Sequence, residues 1–176
     1  MAPAPIVFEP RKAPMTTLDD LKPGEATIVI SRVLDAPREL VFQAFTDPQH
    51  LSRFWGPKWT ACTVREVDPR VGGAFRIEMR GPDGAVYPCT GIYREIVPPE
   101  RIVLEGTAED DNPCGGGLPP RSRVTIAFAA QGDKTRLTIH ARLQTNADRD
   151  AAIAGGFNEG WNDSLDRLAA ALAGRR

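Results

Sequence analysis

The side chains able to do chemistry are few in this chain, and their spacing withholds the usual constellations. There are two histidines and three cysteines in 176 residues. His140 lies in TRLTIHARL, on the strand face of Thr138 and Arg142 and opposite Leu137 and Ile139, and reads as an ordinary strand residue. His50 follows Asp47-Pro48 in a helix start and reads as surface. A metal needs imidazole, thiolate and carboxylate groups at ligand spacing, and these two are far apart, so no metal site is expected. Cys62, Cys89 and Cys114 are odd in number and widely spaced, which makes neither a disulfide framework nor a paired metal knuckle. Cys89, between Tyr87 and Gly91, reads as a small buried hydrophobe, because a nucleophilic thiol needs a base that the sequence does not place beside it. The glycines after Cys114 are no phosphate-binding loop, since no Gly-Lys-Ser/Thr follows and no helix starts there. No catalytic residue and no cofactor is assigned.

The residues that remain suit binding. Phe75, Ile77 and Met79 alternate with Arg76, Glu78 and Arg80, so one face of that strand is apolar and the other wet. Phe157 and Trp161 share a helical stripe. With Phe54, Trp55, Tyr87 and Cys89 they form the candidate lining of an apolar pocket. Polar groups would orient a guest in it; Tyr87, Tyr93, Asn158, Glu66, Glu78 and Arg76 are available. Alternation sets Arg76 and Glu78 aside as a solvated pair.

These side chains need elements to hold them. ATIVISRVL, from Ala26 to Leu34, is rich in β-branched residues and predicts a strand. Asp35 before Ala36-Pro37 predicts a helix N-cap, and Asp47-Pro48 predicts a second helix at once, stopped by Gly56-Pro57. Strands are then predicted at 59–68, around Phe75–Met79, and at 86–97, 101–107, 123–130 and 135–144. Turn residues such as Gly81-Pro82-Asp83-Gly84 divide them, and the short connections favour an antiparallel meander. From Asp148 onward Ile153, Phe157, Trp161, Leu165, Leu168 and Leu172 recur at steps of three or four. That spacing predicts one amphipathic helix of about 25 residues, roughly 38 Å long. Gly155, Gly156 and Gly160 inside it predict a bend, fraying or a close approach in its first turns. Its stripe cannot stay in water, and a curved sheet with one apolar face is the partner available. The fold class is therefore α+β, a long C-terminal helix gripped by an antiparallel sheet. Any cavity is expected at the glycine half of the helix near Phe54 and Trp55, with the leucine half solid.

The composition is globular, with 41% hydrophobic and 26% charged residues. A formal net charge of −1 gives no field toward nucleic acid or an anionic membrane surface. No apolar run approaches the roughly 20 residues that a membrane-spanning helix needs. Residues 1–24, with five prolines, read as an extended tail, or alternatively as an edge strand through Ile6, Val7 and Phe8. Residues 25–174 read as one domain. The start lacks the pattern of a secretory signal, so a reducing cytoplasm is expected, and a homodimer through sheet edges is the expected assembly.

The stretch VLDAPRELVFQAFTDPQHLSRFWGP, followed in order by VGGAFRIEMRGPDG, GIYREIVPPERIV and GWNDSLDRLAAAL, resembles the activator of Hsp90 ATPase homologue 1-like family of the START/Bet v 1-like superfamily. The resemblance covers 25–174. It implies a helix-grip fold and a hydrophobic small-molecule ligand held between sheet and helix, by a carrier, sensor or resistance-type binder. Relatives also imply two alternatives: a polyketide cyclase- or hydrolase-like enzyme using the same cavity, and an Hsp90-type co-chaperone module using the outer sheet surface or the loop 109–120.

Overall fold

The structure is a computed structural model that describes residues 25–107 and 118–174. The proline-rich segment 1–24, Cys114 and most of the loop 109–120 lie outside the described residues. The elements run β1 (Thr27–Leu34), α1 (Arg38–Thr46), α2 (Pro48–Phe54), β2 (Ala61–Val67), β3 (Ala74–Arg80), β4 (Val86–Val97), β5 (Arg101–Gly106), β6 (Arg123–Gln131), β7 (Lys134–Arg142), α3 (Asn146–Ala154) and α4 (Phe157–Ala173). The strands make one antiparallel sheet in the order β1-β7-β6-β5-β4-β3-β2. With the helices gathered on its inner side, this is the helix-grip architecture of the Bet v 1/START-like class.

Cross-strand partners share a face, so the register sorts every side chain. Met79 pairs Cys62 and Tyr87, Ile77 pairs Cys89, and Phe75 pairs Gly91. Tyr93 pairs Leu104, which pairs Val124, which pairs Ala141. These residues form the inner face, and Phe75, Ile77, Met79, Cys89, Tyr93, Leu104, Val124 and Ala141 are buried. Register shifts between Val64 and Glu66 and between Tyr93 and Glu95 bend the two strands without losing that face. α1 closes one end of the sheet through Phe42 and Phe45, whose rings lie 5.4 and 5.5 Å from Phe128.

Three local expectations are corrected. Asp35 does not cap α1: the helix starts at Arg38 with Pro37 at the cap position, whose carbonyl accepts from the Leu40 and Val41 amides. The Ala36 carbonyl is meanwhile held by the Thr135 hydroxyl at 2.7 Å, which commits this link to β7. Asp47 does cap α2, accepting from the Gln49 amide at 2.8 Å ahead of Pro48. The long helix is two helices, because Gly156 takes φ +95° and breaks the hydrogen-bond ladder after Gly155. The break turns Ile153 off the stripe, leaving it 40% exposed, and Ala152 is the buried residue of α3 instead. The remaining helix α4 has 17 residues, roughly 26 Å. Finally, Arg76 and Glu78 are both on the outer face but not paired with each other: Arg76 faces Glu66, and Arg65 holds Glu78.

Close approach requires glycine at Gly73, Gly91 and Gly106. Gly106 ends β5 where Pro119 and Leu118 return across it, and a Cβ there would lie 2.0 Å from the Pro119 carbonyl oxygen. Gly160, inside α4, would meet only Pro57 Cγ at 3.7 Å. Opposite signs are therefore expected. Gly106→Ala should destabilise by about 2 kcal/mol, since backbone must move, while Gly160→Ala should stabilise by up to about 1 kcal/mol through helix propensity. Chemical denaturation of the two variants checks both directions.

Candidate functional site

The site is built from the inward face of α4 and the turn that follows α2. Phe157, Trp161, Ser164, Leu165, Leu168 and Leu172 are the buried residues of α4. Trp161 meets Trp55 at a ring distance of 4.9 Å, Trp55 meets Phe75 at 5.0 Å, and Phe75 meets Tyr93 at 5.9 Å. These four rings carry the contact from helix to sheet, and they meet tilted or edge-to-face, the geometry aromatic quadrupoles favour. Trp55 reaches this position because α2 stops at Phe54 and the chain turns at Gly56-Pro57.

That turn is fastened to α4 by polar contacts at two depths. In the interior, the Ser164 hydroxyl accepts from the Gly56 amide at 2.8 Å and lies 2.9 Å from the Gly160 carbonyl, to which it donates. The Arg167 guanidinium donates to the Gly56 and Pro57 carbonyls at 3.3 and 3.4 Å. At the surface, the Lys58 amide donates to Asp163 at 3.0 Å and its ammonium to Asp166 at 2.8 Å, while Asp166 also accepts from Arg32 of β1. The hydrogen bond with Asp166 raises the Lys58 pKa, and that with Lys58 lowers the Asp166 pKa. The rim of the site is thus charged and the interior aromatic.

The candidate lining residues fall into three places. Trp55, Phe75, Phe157 and Trp161 are buried at the junction of α2, α4 and the sheet, with Ile77, Met79 and Cys89 buried on the sheet side. Phe54 points elsewhere. It packs edge-on to Phe45 at 5.0 Å and borders a small crevice with Leu168 and Leu172, so it belongs to the leucine half. Tyr87 is half-buried at the sheet edge against the exposed Trp59, ring to ring at 5.6 Å. Glu66 lies on the outer face, and His140 is buried there between Val29 and Thr125. Neither faces the helix.

Two of the polar groups named from the sequence are buried in an unusual state. The Tyr93 hydroxyl and the Asn158 Oδ1 have no hydrogen-bond partner among the described residues. Tyr93 is fully buried, and burial, reinforced by the negative charge of Asp68, holds its hydroxyl protonated far above the ordinary tyrosine range. Asn158 lies in the first turn of α4, next to Phe157 and three residues before Trp161. An unsatisfied buried polar atom costs about 1–3 kcal/mol. Ser164 and Arg167 are the residues that sequence reading missed. Ser164 could have been found, because it falls seven residues after Phe157 and so returns to the same stripe. Nothing local marks Arg167, whose acceptors are more than a hundred residues away in the chain.

Among the described residues no group of three or more histidines, cysteines or acids is placed to hold a metal. No described helix is long and apolar enough to cross a membrane.

The comparisons with known proteins agree on one family. The model for Activator of Hsp90 ATPase homolog 1-like protein matches residues 35–173. Among solved structures, protein CV1439 from Chromobacterium violaceum is 35% identical, with 82% of this chain and 95% of that one covered, at a TM-score of 0.68. Protein NE0264 from Nitrosomonas europaea is 25% identical over 88% of this chain and 98% of its own, with a TM-score of 0.76. The AHSA1 protein SPO3351 from Silicibacter pomeroyi, at 24% identity, covers 86% of this chain and 100% of its own with a TM-score of 0.68. No curated protein matches the chain. The shared fold is a ligand-binding type of domain.

Two outcomes follow from the geometry. Ser164→Ala removes the acceptor of the buried Gly56 amide and should cost about 1–3 kcal/mol, read as a fall in thermal midpoint. Cys62 is half-buried, and desolvation pushes its thiol up to about 11, against a smaller lowering by Arg167. Only the thiolate reacts, so its alkylation rate, followed by site-resolved mass spectrometry, should rise about tenfold per pH unit from 7 to 10 with no plateau.

Proposed function

The chain belongs to the activator of Hsp90 ATPase homolog 1-like family, and from that membership we propose that it binds an apolar or aromatic small molecule bearing a polar group, held between the sheet and α4. The observation that carries this reading is the pair of buried, unpartnered polar atoms on Tyr93 and Asn158. Tyr93 ends the series of ring contacts that runs through Phe75 and Trp55 to Trp161, and Asn158 lies three residues before Trp161 in the first turn of α4. A folded chain keeps such atoms at a cost that a guest with matching hydrogen-bond groups would remove. The rings supply the apolar contact, and the two polar atoms supply the orientation that rings alone lack. A guest burying about 300 Å² of apolar surface gains ~7 kcal/mol before the costs of association, so micromolar binding is expected.

An enzymatic use of the same interior calls for a carboxylate or imidazole facing the helix. Glu66 and His140 face the other way. The tyrosine that is inside has its proton held more tightly, which suits a hydrogen-bond donor better than a base.

The test is saturable displacement of a fluorescent lipophile, read alongside emission from the tryptophans. Aromatic guests with a carbonyl or hydroxyl should compete, and Trp161→Phe should change the response. Tyr93→Phe should raise the thermal midpoint of the unliganded protein, because it removes the unpaired hydroxyl. The same variant should weaken polar-headed guests about tenfold, equivalent to about 1.4 kcal/mol, and leave purely apolar guests unchanged. No saturable displacement across a diverse panel would refute the proposal.

A further inference from the structure

The outer face of the sheet carries its own charge pattern, which the net charge of −1 conceals. Its four strand carboxylates are each matched to an arginine: Glu66 with Arg76, Glu78 with Arg65, Glu95 with Arg101 and Glu105 with Arg94. Once these pairs are made, Arg121, Arg123 and Arg142 have no carboxylate partner among the described residues. All three are exposed and sit at the end of the sheet where β5 closes and β6 opens.

Their arrangement is unfavourable on its own. Arg123 and Arg142 are direct cross-strand partners, a like-charge juxtaposition that destabilises a sheet. Glu105, opposite Arg123 on the other side, is already held by the Arg94 Nε at 2.9 Å. Arg121 takes φ +61°, a backbone state that side chains other than glycine rarely adopt, and is held there by its amide donating to the Gly106 carbonyl at 3.1 Å. Beside them runs a groove of about 780 Å³ whose lining includes Arg76, Arg94, Arg121, Thr107 and Gln144, with Glu105 its one carboxylate among the described residues. Gly91 and Gly106 are part of its lining.

We propose that this groove and the Arg123–Arg142 pair beside it dock an acidic, extended polypeptide segment. Strands are spaced by about 4.8 Å, so the unmatched arginines on β6 and β7 together with the groove across β3 to β5 extend over roughly 19 Å. That span exceeds a single phosphate or small carboxylate and fits about six residues of extended chain. Guanidinium forks pair carboxylates in two-point fashion, and the segment would supply the anions that separate Arg123 from Arg142.

Fluorescence anisotropy with a labelled hexaglutamate peptide and the full chain tests the inference. Glu109, Asp110 and Asp111, which follow Thr107 closely in the sequence and lie outside the described residues, are kept in every variant. The expected result is saturable one-to-one binding in 50 mM salt that weakens several-fold in 300 mM salt, with no binding of hexaglutamine. Arg123→Gln with Arg142→Gln should weaken binding about five- to tenfold. The thermal midpoint should hold or rise, since a repulsion is removed. Arg53→Gln with Arg149→Gln, on the helices, should leave affinity unchanged. Equal loss in the helix variant would overturn the proposal, as would competition by inorganic phosphate at the same concentration of charge. Tighter binding of an RNA or DNA oligomer of equal charge would assign the surface to nucleic acid instead.

Discussion

The architecture depends on seating α4 against the sheet through a small number of aromatic contacts. An amphipathic helix of this length buries its stripe or does not form, because isolated helices of that size are marginal in water. The sheet offers a matching inner face, and Trp55, which neither surface owns, links Trp161 of the helix to Phe75 of the sheet. That ring comes from the turn after α2. The position of the turn is set by Ser164 satisfying the Gly56 amide and Arg167 gripping two carbonyls. The short helices are therefore more than a plug at one end of the sheet. They deliver the ring that links helix to sheet.

The interior away from this junction divides into a leucine end and an under-satisfied end. Toward Leu168 and Leu172, where the sequence led one to expect a solid core, Phe54 and Phe45 interlock but a small crevice opens with His50 and Arg53 on its border. Elsewhere the Tyr93 hydroxyl on β4 and the Asn158 amide oxygen in the first turn of α4 are buried without partners among the described residues. Native interiors satisfy nearly all such groups, so the exceptions mark where the fold is committed to something besides its own stability. The break at Gly156 lies next to that end, and it separates α4 from a helix whose Ile153 faces solvent.

Charge is distributed by the same division. The helix side carries the Arg32, Lys58, Asp163 and Asp166 network, balanced and exposed. The outer sheet face carries arginines in excess of its carboxylates, sorted there by the two-residue period of the strands. A near-neutral chain is thus polar as a body, which matters for encounter more than for stability.

Much of this was legible in the residues. Strand alternation placed Phe75, Ile77 and Met79 on one face and Arg76 and Glu78 on the other, because side-chain direction in a strand is local geometry. The same holds for the Asp47-Pro48 start of α2 and for the stripe from Phe157 to Leu172. Glycines 155 and 156 announced a bend, though not that the left-handed turn would discard Ile153. What periodicity could not supply was which elements meet. Phe54 and Trp55 are adjacent in sequence, yet one joins the leucine half and the other the aromatic junction. The orphaned state of Tyr93, the grip of Arg167 and the unpaired arginines are likewise properties of neighbours distant in the chain. Local sequence determines the direction in which a side chain leaves the backbone; only the packed structure determines what it finds there, because partners are set by the closure of surfaces and not by spacing along one strand or helix.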